Sequence, residues 1–168
     1  MNENAELLSK DDSLLLVVDF QKSMLAGCVA SDRVQNNASI LMDVARILSI
    51  PIILTEQNPR KLGTFLPELA TKVPNSAVFS KHQFGCFENE TIARAIAATR
   101  RKSIILAGIE AHICIFQTGI GCYFDDEVHA MMGLGSDHYQ SMYHFTVGEA
   151  LEDHRLQILA PYHHLERF

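Results

Sequence analysis

Short apolar runs alternate with stretches of helical periodicity along most of this chain. Residues 14–18 (LLLVV) form a continuous aliphatic run, the pattern of a strand covered on both faces. Val34, Ala38, Leu41, Val44, Ala45 and Leu48 then recur at helical spacing, which predicts a helix with Asp32 as its N-cap. A second strand is predicted at 51–55, a helix-like stretch at 64–70 and a short third strand at 77–80. Asn89 is placed to cap the next helix, with Ile92 and Ile96 on its inner face. A fourth aliphatic strand covers 103–107 and is broken by Gly108; a helix then starts near Ala111 or His112 and runs to about Tyr123. Further on, the pattern predicts a fifth strand at 127–132, a helix at 143–153 and a sixth strand at 156–160. This alternation predicts an α/β fold, a parallel sheet with helices on both faces. No repeat, low-complexity tract or linker interrupts it.

Composition narrows the function classes. The 168 residues suffice for one domain with a real core, and 48% hydrophobic against 20% charged residues is wrong for a disordered chain. A net charge of −6 without a basic cluster predicts neither a nucleic-acid nor a membrane partner. Arg100, Arg101 and Lys102 read as the last turn of a helix, where cations offset the dipole. No apolar run approaches the roughly 20 residues needed to span a bilayer. Residues 1–12 are polar and acidic, unlike a signal or transit peptide. Cys28, Cys86, Cys114 and Cys122 form no CxxC pair, so they are expected to be reduced thiols of a cytoplasmic protein.

Ligands of parallel sheets bind beyond the carboxyl ends of the strands. Three functional side chains fall there. Asp19 ends the first strand, Lys81 follows the third, and Cys114 lies in the first turn of the helix after the fourth. A carboxylate beside a buried aliphatic run needs a partner, and Lys81 offers a counter-charge. At a helix start, open N–H groups and the macrodipole favour a thiolate, and the same N–H groups can hold an oxyanion. Taken singly, each residue has a plainer reading: Asp19 as a cap, Lys81 as a solvated cation, Cys114 as a small buried hydrophobe. Together they form a base, an ammonium partner and a nucleophile.

The residues that carry this set are LLLVVDFQ at 14–21, PIILTEQNP at 51–59, FSKHQFGCF at 79–87 and ILAGIEAHICIFQT at 105–118. With them the chain resembles the isochorismatase-like, or cysteine hydrolase, superfamily, and within it the isochorismatase domain-containing branch. The resemblance implies a doubly wound, three-layer α/β/α sandwich of Rossmann-like type, with a six-stranded, mostly parallel sheet of order 3-2-1-4-5-6. Residues 1–12 would then precede a single hydrolase domain at 13–168. It also implies an Asp19–Lys81–Cys114 triad, and a non-proline cis peptide between Ile109 and Glu110 that turns N–H groups towards the oxyanion. Nicotinamidases of this superfamily carry an Asp-x-His metal motif after the second strand, where this chain reads Glu56-Gln57-Asn58-Pro59. No metal site and no cofactor are therefore expected. True isochorismatases lack the nucleophilic cysteine, so Cys114 points to covalent acyl chemistry instead. Beyond Gly119 the chain departs from the family pattern.

The expected activity is hydrolysis of an amide or related C–N bond in a small molecule. Phe20, Gln21, Gln57, Phe84, Glu110 and His112 lie near the expected mouth as candidate substrate contacts, though the phenylalanines could equally be core and Glu110 and His112 exposed loop. His138, His144, His154, His163 and His164 form no HExxH or other tight ligand set. Cys86, close to Lys81, reads as a packed cysteine, as do Cys28 and Cys122. A homo-oligomer, dimer or larger, is expected from the resemblance. Two other readings stay open: a non-catalytic binding module, and a thiol redox sensor.

Overall fold

Strand β1 (Ser13–Val18) is buried at all six positions, as expected of a strand whose last five residues are all aliphatic. The computed structural model describes residues 8–28, 30–73, 77–124 and 143–146. After β1 come a single turn α1 (Lys22–Leu25), the long helix α2 (Ser31–Ile47) and strand β2 (Ile52–Gln57). Two short turns, α3 (Pro59–Leu62) and α4 (Pro67–Ala70), lead to β3 (Val78–Lys81), α5 (Glu90–Ala98) and β4 (Ser103–Gly108). A π-helical turn (Ala111–Ile115) runs directly into α6 (Phe116–Phe124), and β5 (Tyr143–Thr146) joins the sheet beyond it. The strands are parallel and stand in the order β3-β2-β1-β4-β5.

Register brings the strand ends together. Val18 lies opposite Thr55 of β2 on one side and Gly108 of β4 on the other, while Gln57 lies opposite Lys81 of β3. The segments that leave β1, β2, β3 and β4 therefore emerge at one edge of the sheet.

Alternation along β1 divides the core. Leu15 and Val17 pack with Phe20, Leu54, Phe65 and the inner face of α2 (Val34, Ala38, Met42, Ala45). Leu14, Leu16 and Val18 pack with Ile92 and Ile96 of α5 and with Cys86, Cys114 and Ile115. Each fully buried aliphatic side chain contributes roughly 1.5–3 kcal/mol, so both faces anchor the strand that carries Asp19.

Several boundaries differ from the sequence reading, for local reasons. Asn89 does cap α5, its side chain accepting from the N–H groups of Thr91 and Ile92. Ala30 rather than Asp32 is the N-cap of α2, and Asp32 lies in the first turn, where an acid complements the dipole. The helix-like stretch at 64–70 is broken because Phe65 bridges to Gln21; helices restart at Pro59 and Pro67, each preset for a first helical turn. Tyr143–Thr146 is a strand on the edge of β4, where periodicity predicted the start of a helix over 143–153. Aromatic and β-branched residues favour the extended state there, and the β4 edge supplies ladder partners. The fifth strand predicted at 127–132, the sixth at 156–160 and the rest of the 143–153 helix lie outside the described residues. No helix among the described residues is long and apolar enough to cross a membrane.

Candidate active site

The chain leaves β1 through a left-handed residue, Asp19, at φ 58°. Its N–H donates to the Thr55 carbonyl at 3.0 Å, which turns the carboxylate along the sheet edge. Asp19 Oδ1 accepts from Thr55 Oγ1 at 2.8 Å and Oδ2 from Lys81 Nζ at 2.6 Å. The ion pair is dry, with side-chain exposures of 0% for Lys81 and 2% for Asp19. Charges so placed persist only when fully partnered. Lys81 Nζ meets that condition through further contacts with Gln57 Oε1 (2.8 Å), the Phe84 carbonyl (3.1 Å) and the Gln83 carbonyl (3.3 Å).

Gln57 and Gln21 build the frame behind the lysine. Gln57 Nε2 donates to the His82 carbonyl at 2.9 Å, while its main-chain N–H donates to Gln21 Oε1 at 2.7 Å. Gln21 Nε2 returns a bond to the Gln57 carbonyl at 2.9 Å and also donates to the Gly63 carbonyl. These glutamines, expected as substrate contacts, have their polar atoms engaged within the protein. Phe20 is likewise placed away from the mouth: it is fully buried and its ring tilts against Phe65 at 6.5 Å. Phe84 and His112 are exposed and Glu110 is half-buried, so these remain the side chains at the rim.

Cys114 arrives on the π-helical turn. The turn packs closely on the end of β4. A Cβ at Gly108 would sit 2.5 Å from Ile115 Cδ1 and 3.0 Å from the Val18 carbonyl, so a side chain there would have to push Ile115 aside. Cys114 is 2% exposed, with its thiol close enough to the Asp19 carboxylate and the Lys81 ammonium for both charges to act on it. Structure thus brings Asp19, Lys81 and Cys114 into one buried group.

Two expectations for this turn are corrected. The Ile109–Glu110 peptide is trans, and no cis peptide occurs among the described residues. A cis secondary amide costs about 2.5–4 kcal/mol, whereas here the trans chain lets the Glu110 carbonyl accept from Ile113 and Ile115, both at 3.3 Å. The thiol is also not tipped towards thiolate. Burial pushes Cys114 up to about 12, and the negative charge of Asp19 adds to this against the opposing pull of Lys81. Loss of hydration on burial, with a carboxylate nearby, outweighs the field of a helix start.

Sequence reasoning passed over two residues at this site and took a third, Cys86, as a packed cysteine. Thr55 and Thr118 are fully buried hydroxyls, and Cys86 is a fully buried thiol beside both. Spacing held a signal for Thr118, which stands four residues after Cys114 and donates to its carbonyl at 2.6 Å, a common threonine habit. Burial also raises the Cys86 thiol, to about 11. A thiol raised by folding stays protonated in the native state where the unfolded chain releases its proton near pH 9. Its contribution is therefore complete below that pH and is lost as pH rises towards 11. We expect Cys86→Ala to flatten the fall of melting temperature with pH over this window; parallel slopes for the two proteins would contradict it.

Among the described residues no group of three or more His, Cys, Asp or Glu side chains is placed to hold a metal ion.

Known proteins share this arrangement of sequence and fold. A family model described as the isochorismatase domain matches residues 13–130. The probable hydrolase YcaC of Escherichia coli (strain K12) is 31% identical over 114 residues, covering 64% of this chain and 54% of the relative. Isochorismatase domain-containing protein 2 of Danio rerio is 34% identical over 108 residues, again covering 64% and 54%. The chain thus spans about half the length of these curated relatives. Among solved structures, Escherichia coli YcaC, described as an octameric hydrolase of unknown specificity, superimposes with a TM-score of 0.68 at 27% identity, over 71% of this chain and 61% of that one. YcaC from Pseudomonas aeruginosa, solved with hexane-2,5-diol and covalent acrylamide, shares the fold with a TM-score of 0.69 at 24% identity, over 77% and 76% of the chains.

Proposed function

This chain belongs to the isochorismatase family, and on that premise we propose that it is a cysteine hydrolase of small molecules, cleaving an amide or related C–N bond. The observation that carries this reading is the buried Cys114 thiol beside an Asp19 carboxylate that Lys81 holds at 2.6 Å.

A protonated nucleophile beside a carboxylate calls for proton removal during attack, not before it. As the Cys114 sulfur bonds to the substrate carbonyl carbon, its proton passes to Asp19. Lys81 keeps its charge and its contact with the carboxyl group throughout. The carbonyl oxygen becomes an oxyanion, for which backbone N–H groups of the turn that carries Cys114 are the donors at hand. Collapse breaks the C–N bond, and the leaving amine takes the proton from Asp19, leaving a thioester. Asp19 then accepts a proton from water as the hydroxyl adds to the thioester, and the departing sulfur recovers a proton as the acid is released. No step requires a metal or cofactor.

Phe84, Glu110 and His112 would meet the substrate at the rim, which suits a small molecule with both apolar and polar parts. The description of YcaC as octameric favours a homo-oligomer here, and the family favours a six-stranded, three-layer sheet over the single domain. A redox sensor fits less well, because sensing thiols are exposed thiolates, whereas Cys114 is 2% exposed and held protonated.

The test is a panel of small amides, with amine release and intact protein mass followed together. Release should accompany an acyl adduct on Cys114 that hydroxylamine removes. Release that continues at the same rate after Cys114 is blocked by alkylation would sink the proposal.

A further inference from the structure

Two fully buried hydroxyls flank the reacting pair without belonging to it. We propose that Thr55 and Thr118, with Cys86 between them, form a brace that holds base and nucleophile in register, so that both threonines are positioning residues of the reaction. The inference rests on the reading of Asp19 as base and Cys114 as nucleophile.

Each hydroxyl joins two segments that the fold brings together from distant parts of the chain. Thr55 Oγ1 donates to Asp19 Oδ1 at 2.8 Å while the Thr55 carbonyl accepts the Asp19 N–H at 3.0 Å. Side chain and main chain of the base are therefore both fastened to β2, and the rotation of the carboxylate is fixed. Thr118 Oγ1 accepts the Cys86 N–H at 3.2 Å and donates to the Cys114 carbonyl at 2.6 Å. One oxygen so ties the loop after β3 to the turn that carries the nucleophile.

Cys86 lies beside both hydroxyls, its N–H donating to Thr118 Oγ1 and its buried thiol within reach of each threonine. Two links result: Thr55 fastens Asp19 to β2, and Thr118 fastens the Cys114 turn to the loop that holds Cys86. The loop in which Cys86 sits is also the one whose Gln83 and Phe84 carbonyls hold Lys81. A displacement at either link thus changes the distance between sulfur and carboxylate. Misplacement by about 1 Å can cost on the order of 100-fold in rate.

Valine keeps the shape of threonine and removes only the hydroxyl; serine keeps the hydroxyl. The experiment is the second-order rate at which acrylamide alkylates Cys114 in the full native chain, read at that peptide by mass spectrometry. In this reaction the sulfur bonds to the terminal alkene carbon and the thiol proton ends on the adjacent carbon, so base and nucleophile are tested without knowledge of the substrate. Thr118→Val should slow alkylation about 10- to 100-fold, Thr118→Ser should restore it to within a few-fold of wild type, and the Thr55 pair should behave alike. Cys86 serves as an internal reporter: general loosening would expose and label it, whereas a lost brace leaves it unlabelled while Cys114 slows. Wild-type rates in both valine variants, equal losses in valine and serine variants, or labelling of Cys86 would each overturn the proposal. If Cys114 slows in the valine variants but Asp19→Asn reacts like wild type, the assignment of the base fails, and the brace as argued fails with it. Failure confined to the threonine variants, with Asp19→Asn slowed, leaves the hydrolase reading standing.

Discussion

Asp19→Asn is expected to lower turnover about 10²–10⁴-fold with little change in KM, and Cys114→Ala to abolish it. The asparagine variant isolates the proton transfer because so much else survives. Asparagine tolerates the left-handed backbone that position 19 adopts at φ 58°. Its amide oxygen can still accept from Thr55 Oγ1, which now stands 2.8 Å from the carboxylate. What is lost is an atom able to take the thiol proton, and a thiol held at about 12 does not ionise by itself at neutral pH. Initial rates on the best amide of the panel, with KM and kcat separated, would decide the matter. Wild-type kcat in Asp19→Asn would remove Asp19 from the chemistry.

Lys81→Met should have the largest effect on stability. The Asp19–Lys81 pair is excluded from water on both sides, and taking one partner away leaves a buried charge uncompensated, at a cost of about 3–5 kcal/mol. Typical domains have about 5–15 kcal/mol in total, so this variant should unfold at a far lower urea concentration. The double variant Asp19→Asn/Lys81→Met removes both charges together and should recover much of the loss. Urea midpoints of the wild type, the two single variants and the double variant give the coupling directly. A Lys81→Met midpoint equal to that of the wild type would mean that the pair is not dry in solution.

The sequence displays some of this organisation and conceals the rest, for physical reasons. β1 is readable because a strand buried on both faces must be aliphatic throughout, and Asn89 because an unsatisfied helix start selects such a side chain. Asp19, Lys81 and Cys114 are readable because topology alone sends the ends of parallel strands to one edge. Thr55 and Thr118 are hidden: a threonine in a strand or helix looks like filler until its neighbours are known. Gln21, Gln57 and Phe20 show the opposite failure, since proximity in sequence to the site does not say which way a side chain turns. The protonation of Cys114 is the sharpest case. A helix start argues for a thiolate, and burial, with Asp19 alongside, reverses the sign. The π-helical turn at 111–115 leaves no trace in composition, because Ala-His-Ile-Cys-Ile would suit an ordinary helix equally well.

That turn makes the bearing of the nucleophile a matter of residue count. A π turn is an α-helical path with a residue to spare, and each residue of an α-helix rotates the chain by about 100°. A chain one residue shorter between Gly108 and Cys114 would settle into a regular helix and swing the sulfur away from Asp19, although every functional side chain remained in the sequence. Alignments that tolerate a gap between this glycine and this cysteine would therefore score as equivalent two proteins of which only one can react. Length between the two landmarks is as diagnostic of chemistry in such relatives as the landmarks themselves.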